Sequence, residues 1–112
     1  MTGLYSFYSG EVLQYVGQSD DVFRRAHEHF QQGRFKSCHF SAQNIMPSLY
    51  GFNFSAAEIK RILDYKEACA IRNLNPAENK VRPSNEAILR MFRKTPIEFQ
   101  RKLLETLPSI TN

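Results

Sequence analysis

The sequence predicts an α+β fold, and three observations carry that expectation. Two β-rich runs, Leu4 to Tyr8 and Val12 to Val16, are separated by Ser9-Gly10-Glu11, which reads as an antiparallel hairpin with glycine in its loop. After Gly17 the apolar spacing changes from the alternation of a strand to the roughly 3.6-residue period of a helix. Further on, Ser55-Ala56-Ala57-Glu58 forms a capping box ahead of a long helical pattern.

Two registers suit the hairpin. A two-residue loop at Ser9 and Gly10 puts Tyr5 opposite Gln14, whereas a three-residue loop from Ser9 to Glu11 pairs Tyr8 with Val12 and Tyr5 with Tyr15. The second is favoured, because it sets two phenols side by side on one face. The first helix is expected over 19–32, with Ser19 as N-cap, Asp20 and Asp21 in the first turn and Gly33 as its stop. Projection at 100° per residue gives Val22, Phe23, Ala26 and Phe30 as its apolar stripe. Arg25 and His29 lie one turn apart on the edge of that stripe, and Arg24 points nearly opposite.

These residues resemble the GIY-YIG endonuclease family. Gly3-Leu4-Tyr5 stands where that family has Gly-Ile-Tyr, Tyr15-Val16-Gly17 where it has Tyr-Ile-Gly, and Arg25 and His29 where its helix has Arg and then His or Tyr. Glu67, Ile71, Pro76 and Asn79 follow at the spacing Glu-x3-Ile-x4-Pro-x2-Asn, which is similar to the nuclease half of the bacterial excision-repair subunit. Leu4 and Val16 replace isoleucines of the family pattern. The resemblance spans Gly3 to Asn79 and implies a third strand just before the second helix, placed at Ser48 to Phe54, with Gln31 to Met46 left as a long loop. The fold expected is therefore a three-stranded, mainly antiparallel sheet flanked by helices at about 19–32 and 55–74, with two C-terminal helices added.

The second helix carries its own argument. Ile59, Leu63, Ala70 and Leu74 make its apolar stripe, Glu67 falls inside that sector, and Lys66 on the flank is expected to snorkel to water. An ionised acid on a core-facing stripe costs several kcal/mol unless it takes a cation, pairs with a base or becomes neutral. Read alone, Glu67 suggests a structural pair with an arginine or lysine; the resemblance implies instead a ligand to one Mg²⁺ or Mn²⁺. It further implies Tyr5 as the group that activates or positions water, with Tyr15 and His29 sharing that role, Arg25 as the phosphate holder, and Gly17 and Asn79 as supporting residues. A free phenol titrates near pH 10, so Tyr5 needs help to act as a base.

Composition sets the bounds. At 112 residues and 42% hydrophobic, the chain suits one small domain with a modest core. With no apolar run near the length of a membrane span and no secretory signal, a soluble, cytoplasmic protein is expected. Cys38 and Cys69 fall in no CxxC arrangement and read as reduced thiols.

The charge is unevenly placed. Residues 1–79 hold eight Lys and Arg against eight Asp and Glu, while residues 80–112 hold seven against three and so carry the whole excess of +4. A basic extension on a neutral domain suits phosphate contact, so Lys80, Arg82, Arg90, Arg93 and Lys94 are candidate DNA contacts, with Arg24 and Lys36 added from the core and Arg101 and Lys102 further along the tail. His39 shares the loop of Lys36. Ser84-Asn85-Glu86 opens a short helix to about Arg93, and Thr95-Pro96-Ile97-Glu98 is a second capping box, opening a helix that Pro108 follows. Their apolar sides, Ile88, Met91 and Phe92, then Ile97, Leu103, Leu104 and Leu107, suit covering the sheet or docking a homodimer or a protein partner that supplies specificity. The function expected is a metal-dependent endonuclease acting on DNA, with an inactive nucleic-acid-binding or interaction module of the same fold as the alternative.

Overall fold

The computed structural model describes residues 1–110, with side chains through residue 105. Three strands, β1 (Gly3–Ser9), β2 (Val12–Ser19) and β3 (His39–Asn44), form one antiparallel sheet in the order β2-β1-β3. Around it lie α1 (Val22–Gln31), a short 3₁₀ helix (Met46–Leu49), α2 (Ala56–Leu74), α3 (Asn85–Arg93) and α4 (Ile97–Ile110). The fold class is α+β, as the sequence indicates.

The hairpin uses neither expected register. Its loop is Gly10-Glu11, with Gly10 at φ +61°, and Ser9 pairs with Val12 and Tyr8 with Leu13. Between Phe7 and Tyr8 the pairing shifts, so that Phe7 meets Tyr15 and Gln14 is the extra residue of a β-bulge. The bulge has a consequence for the site. Side chains alternate across a strand, so without the extra residue Tyr15 would face away from Tyr5; with it, Tyr5, Phe7, Tyr15 and Gly17 share one face. Tyr5 stands opposite Gly17 rather than Tyr15.

β3 occupies His39–Asn44, inside the stretch expected to be loop, and Ser48 to Phe54 is not a strand. This edge strand turns only Phe40 and Ala42 inward, and its other residues are polar and exposed, which leaves almost no apolar alternation to read. Pro47 starts the 3₁₀ helix instead, where its fixed φ is suited.

Both faces of the sheet are covered. Tyr5 and Phe7, with Tyr15 and Phe40, pack against Val22 and Ala26 of α1. Leu4, Ser6 and Val16 point the other way and meet Ala70 and Leu74 of α2 across a narrow gap. A second core lies off the sheet, where Ile62 and Leu63 of α2 pack with Ile45, Leu49, Phe99 and Leu103. The basic extension therefore helps to build this core, with α4 lying on α2 and the 3₁₀ helix rather than covering the sheet.

The helix ends show what local chemistry decides. α1 begins at Val22 because β2 stays extended through Ser19, and Asp21, not Ser19, caps it by accepting from the Arg24 amide at 3.2 Å. The Ser55–Glu58 capping box opens α2 as expected, and Asn75, left-handed at φ 47°, closes it. Ser84 caps α3. Thr95 opens no capping box, since its hydroxyl donates to the Phe92 carbonyl at 2.6 Å and closes α3. α4 continues through Pro108, whose fixed φ is helical and whose missing N–H removes only one bond of the last turns. Phe99 and Leu103 are its buried side, while Ile97 and Leu104 are exposed; the Leu107 side chain lies outside the described residues. Leu74 is likewise exposed, and the buried residues of α2 are Ile62, Leu63, Ala68 and Ile71.

The segment after α2 seals the free edge of β2. Amides of Ala77 and Glu78 donate to the carbonyls of Leu13 and Gln14 at 3.3 and 2.7 Å. The Asn79 side chain then accepts from the Val16 amide and donates to the Val16 carbonyl, both at 3.0 Å, acting as one more residue of a neighbouring strand. Removing it leaves two backbone groups of an edge strand without partners, a loss of about 1–3 kcal/mol. Asn79→Ala is thus expected to lower the unfolding free energy by about 2 kcal/mol. Urea denaturation would read this, and an unchanged midpoint would contradict it.

Candidate active site

Helix α1 presents Val22, Ala26 and His29 to the sheet, at the i, i+4, i+7 spacing of one helix face. Phe23 and Phe30, expected on that face, are largely exposed, and the fully buried position at its end belongs to a histidine. His29 has no exposed surface. Its ring packs 5.8 Å from Tyr5, 5.8 Å from Phe7, 5.4 Å from Tyr15 and 5.5 Å from Phe35, centroid to centroid.

A buried imidazole in an aromatic cage needs polar partners, and it has two. His29 Nε2 lies 2.9 Å from the Tyr5 hydroxyl, and Nδ1 lies 3.3 Å from Nη1 of Arg34. Burial first, then the charges of Arg25 and Arg34, lowers the pKa of His29, with Glu28 pulling weakly the other way. His29 is therefore neutral at neutral pH.

A histidine with a depressed folded pKa contributes stability that is present above its unfolded pKa of about 6.5 and is lost as pH falls below it, because the unfolded chain then binds the extra proton. The protein is expected to lose stability from about pH 6.5 downward, and His29→Gln to flatten that slope. Denaturation midpoints from pH 7.5 to 5 would check it; an identical slope in both proteins would contradict the assignment.

Tyr5 is 2% exposed, and its hydroxyl lies over Gly17. A Cβ on Gly17 would fall onto the end of the Tyr5 ring and within 2.9 Å of Tyr15, so glycine here is a condition for the two phenols to share the site. Gly3 is needed for a different reason, since a Cβ there would fall onto the Gln43 carbonyl of β3. Burial, and next the Tyr15 phenol at 6.1 Å between ring centres, pushes the Tyr5 pKa well above the ordinary phenol value, while Arg25 beside it pulls the other way. Arg25 also bonds Glu28 at 2.8 Å.

Four of the five catalytic candidates, Tyr5, Tyr15, Arg25 and His29, thus form one cluster, of which Tyr15 and Arg25 are partly exposed and the other two buried. Glu67 sits on α2, the helix on the other face of the sheet. Among the described residues it enters no ion pair; its carboxyl pKa is raised, first by burial and then by Asp64, with Lys60 opposing. A contact path links the two. The residue after Gly17, Gln18, donates through its amide to Asp64, one turn before Glu67. The three residues Val16 to Gln18 therefore tie Asn79, the tyrosines and α2 together. Lys66 is half-buried, and burial lowers its pKa.

The remaining candidates divide by how far they are already engaged. Arg24 is exposed and paired with Asp20 at 3.5 Å and Glu28 at 3.1 Å. Lys36 is exposed at the rim of a cleft it shares with Gln14, Arg34 and Glu78. Arg82 folds back to donate to the Arg72 carbonyl at 2.9 Å, and Lys102 holds α4 to the Asn53 carbonyl at 2.9 Å and to Glu58. Lys80, Arg90, Arg93 and Lys94 are exposed. Cys38 and Cys69 are free thiols. The sequence reading missed Arg34, because it lies beyond the helix stop at Gly33 in a stretch taken as loop.

Among the described residues no helix is long and apolar enough to cross a membrane. In comparisons with known proteins, the chain matches no protein family, no curated protein and no solved structure.

Proposed function

We propose that this chain is a metal-dependent endonuclease of the GIY-YIG type that hydrolyses phosphodiester bonds in DNA. The observation that supports it most is the buried Tyr5–His29 hydrogen bond at 2.9 Å with Arg25 beside it, at the positions where the resembled family keeps its reacting groups. Phosphodiester hydrolysis requires a base for the attacking water, donors for the added negative charge, and a cation near the leaving oxygen. Tyr5 is the group that positions or deprotonates water. Its raised pKa opposes ionisation, so a phenolate at this site depends on Arg25 and on any cation bound nearby. Arg25, with its guanidinium partly exposed, can also give a charge-assisted fork to the scissile phosphate.

Glu67 fits a divalent cation by its chemistry: a partly buried carboxylate, raised in pKa beside Asp64 and without an ion pair among the described residues, gains from a hard cation that takes oxygen ligands. Mg²⁺ or Mn²⁺ held there would supply Lewis-acid stabilisation of the leaving oxygen. Arg90, Arg93 and Lys94, exposed at the end of α3 and just beyond it, supply phosphate contacts that position DNA without reading its bases.

One observation favours a second reading, a nucleic-acid-binding module without turnover: Tyr5 is almost wholly enclosed. Incubating supercoiled plasmid and branched or flapped DNA with the protein in Mg²⁺, Mn²⁺ or EDTA separates the two. The nuclease reading expects cleavage with either metal and none in EDTA. Salt-sensitive binding without cleavage in any condition would favour the binding module.

A further inference from the structure

We infer that Arg34 fixes His29 in the tautomer with its proton on Nε2, which makes His29 a hydrogen-bond donor to Tyr5 and not the base that removes the Tyr5 proton. A guanidinium has only N–H groups and no acceptor, so the 3.3 Å contact from Arg34 Nη1 to His29 Nδ1 is a hydrogen bond only if Nδ1 is bare. A neutral imidazole carries one proton, which then sits on Nε2 and points along the 2.9 Å contact to Tyr5 Oη. Burial and the two neighbouring arginines oppose the doubly protonated ring, in which Nδ1 would face Arg34 as a second donor.

The loop holds Arg34 in place from several sides. The Arg34 amide donates to the His29 carbonyl at 3.0 Å. Gly33 and Phe35, on either side of it, are both left-handed, at φ +76° and +60°, which folds the chain back over the end of α1. Phe35 keeps this unusual conformation while its ring stacks on Phe7 at 4.4 Å and 8° between planes. The Arg34 guanidinium then lies 4.7 Å from the centre of the Phe35 ring and 5.3 Å from that of Tyr15, within range of cation–π attraction.

The tautomer matters to the proposed reaction because it sets which way the phenol proton points. Tyr5 Oη, accepting from His29, keeps its own O–H for another acceptor, and a Tyr5 phenolate would keep the His29 donor. Arg34 is thus a positioning residue acting through His29. Its part in turnover rests on the nuclease reading; the tautomer does not.

Long-range proton–nitrogen correlation spectra of protein labelled with ¹⁵N in its three histidines, at neutral pH, test this directly. His29 is assigned by the signal absent from a His29→Gln variant. The expected result is a protonated Nε2 and a bare Nδ1 in the wild type, and a shift toward the other tautomer in Arg34→Met, which keeps an apolar stem but has no donor. A proton on Nδ1 in the wild type, or an unchanged pattern in Arg34→Met, would overturn the inference; the wild-type spectrum decides even if the variant fails to fold. In cleavage assays Arg34→Met is expected to lower kcat by about 10- to 100-fold with KM nearly unchanged, by analogy with the loss when the partner that orients a metal-bound histidine is removed. Wild-type kcat in that variant would overturn the positioning role, whereas absence of cleavage by the wild type would overturn the nuclease reading and leave the spectra to decide the tautomer.

Discussion

Glu67→Gln is expected to abolish DNA cleavage while making the fold more stable at neutral pH. The two effects have one cause. The Glu67 carboxyl has its pKa raised by burial and by Asp64, so the folded protein binds its proton more readily than the unfolded chain does. The sign is the reverse of the usual carboxylate: stability is highest below the unfolded pKa and falls as pH rises through the folded value, which leaves the ionised group a net cost at pH 7. Glutamine keeps the shape and removes the charge, so the melting temperature at pH 7 should rise and the difference should vanish in acid. The same change removes the carboxylate proposed to hold the metal, whose stabilisation of the leaving oxygen amounts to several kcal/mol, so cleavage should fall by roughly 100-fold or more. Added Mn²⁺ should raise the melting temperature of the wild type and not of the variant. A variant that melts lower at pH 7, or cleaves like the wild type, would remove Glu67 from the site.

Arg25→Ala is the second large effect. Its guanidinium stands beside Tyr5 and opposes the upward shift of the phenol pKa, so its loss should make Tyr5 harder to ionise and remove a donor for the phosphate at once. A loss of about 10²–10³ in kcat is the scale of removing one preorganised donor to developing charge. The fold should hardly notice. The pair of Arg25 with Glu28 is a partly exposed i, i+3 contact of the kind worth only a few tenths of a kcal/mol. Single-turnover cleavage and thermal denaturation, run side by side, check both halves. Arg24→Ala makes the contrast, since Arg24 lies away from the cluster and shares the same Glu28. Equal losses in the two variants would mean that Arg25 acts only through the charge of the helix.

Much of this site is legible in the sequence because it depends on local features. The capping box at Ser55 and the stop at Gly33 are written in a few adjacent residues and form where expected, and the hairpin around Gly10 forms too, though with a loop and register of its own. The one-turn spacing of Arg25 and His29 likewise puts both beside Tyr5. What the sequence hides is set by distant packing. The bulge at Gln14, which changes the hairpin register, lies where the Glu78 amide, sixty-odd positions later in the chain, donates to the Gln14 carbonyl. Strand β3 gains its place from pairing with β1, while its own residues are too polar to announce a strand. His29 replaces Phe23 and Phe30 in the core for a similar reason: Tyr5 and Arg34 satisfy its two nitrogens, and neither partner can be read from α1 alone. Side-chain hydropathy ranks phenylalanine as the buried residue; the hydrogen bonds reverse the order.

Tyr5 is the proposed reacting group, and Tyr5→Phe tests that role most directly. Phenylalanine keeps the ring among Phe7, Tyr15, His29 and Phe40 and deletes one oxygen, so the sheet and α1 should stay packed, with the His29 donor left without its partner. Nicking of supercoiled plasmid in Mg²⁺ should fall by at least about 100-fold, the low end of what a positioned acid–base group contributes, while DNA affinity and the circular dichroism spectrum stay as in the wild type. Nicking by Tyr5→Phe at the wild-type rate would contradict the account, whatever the other variants did.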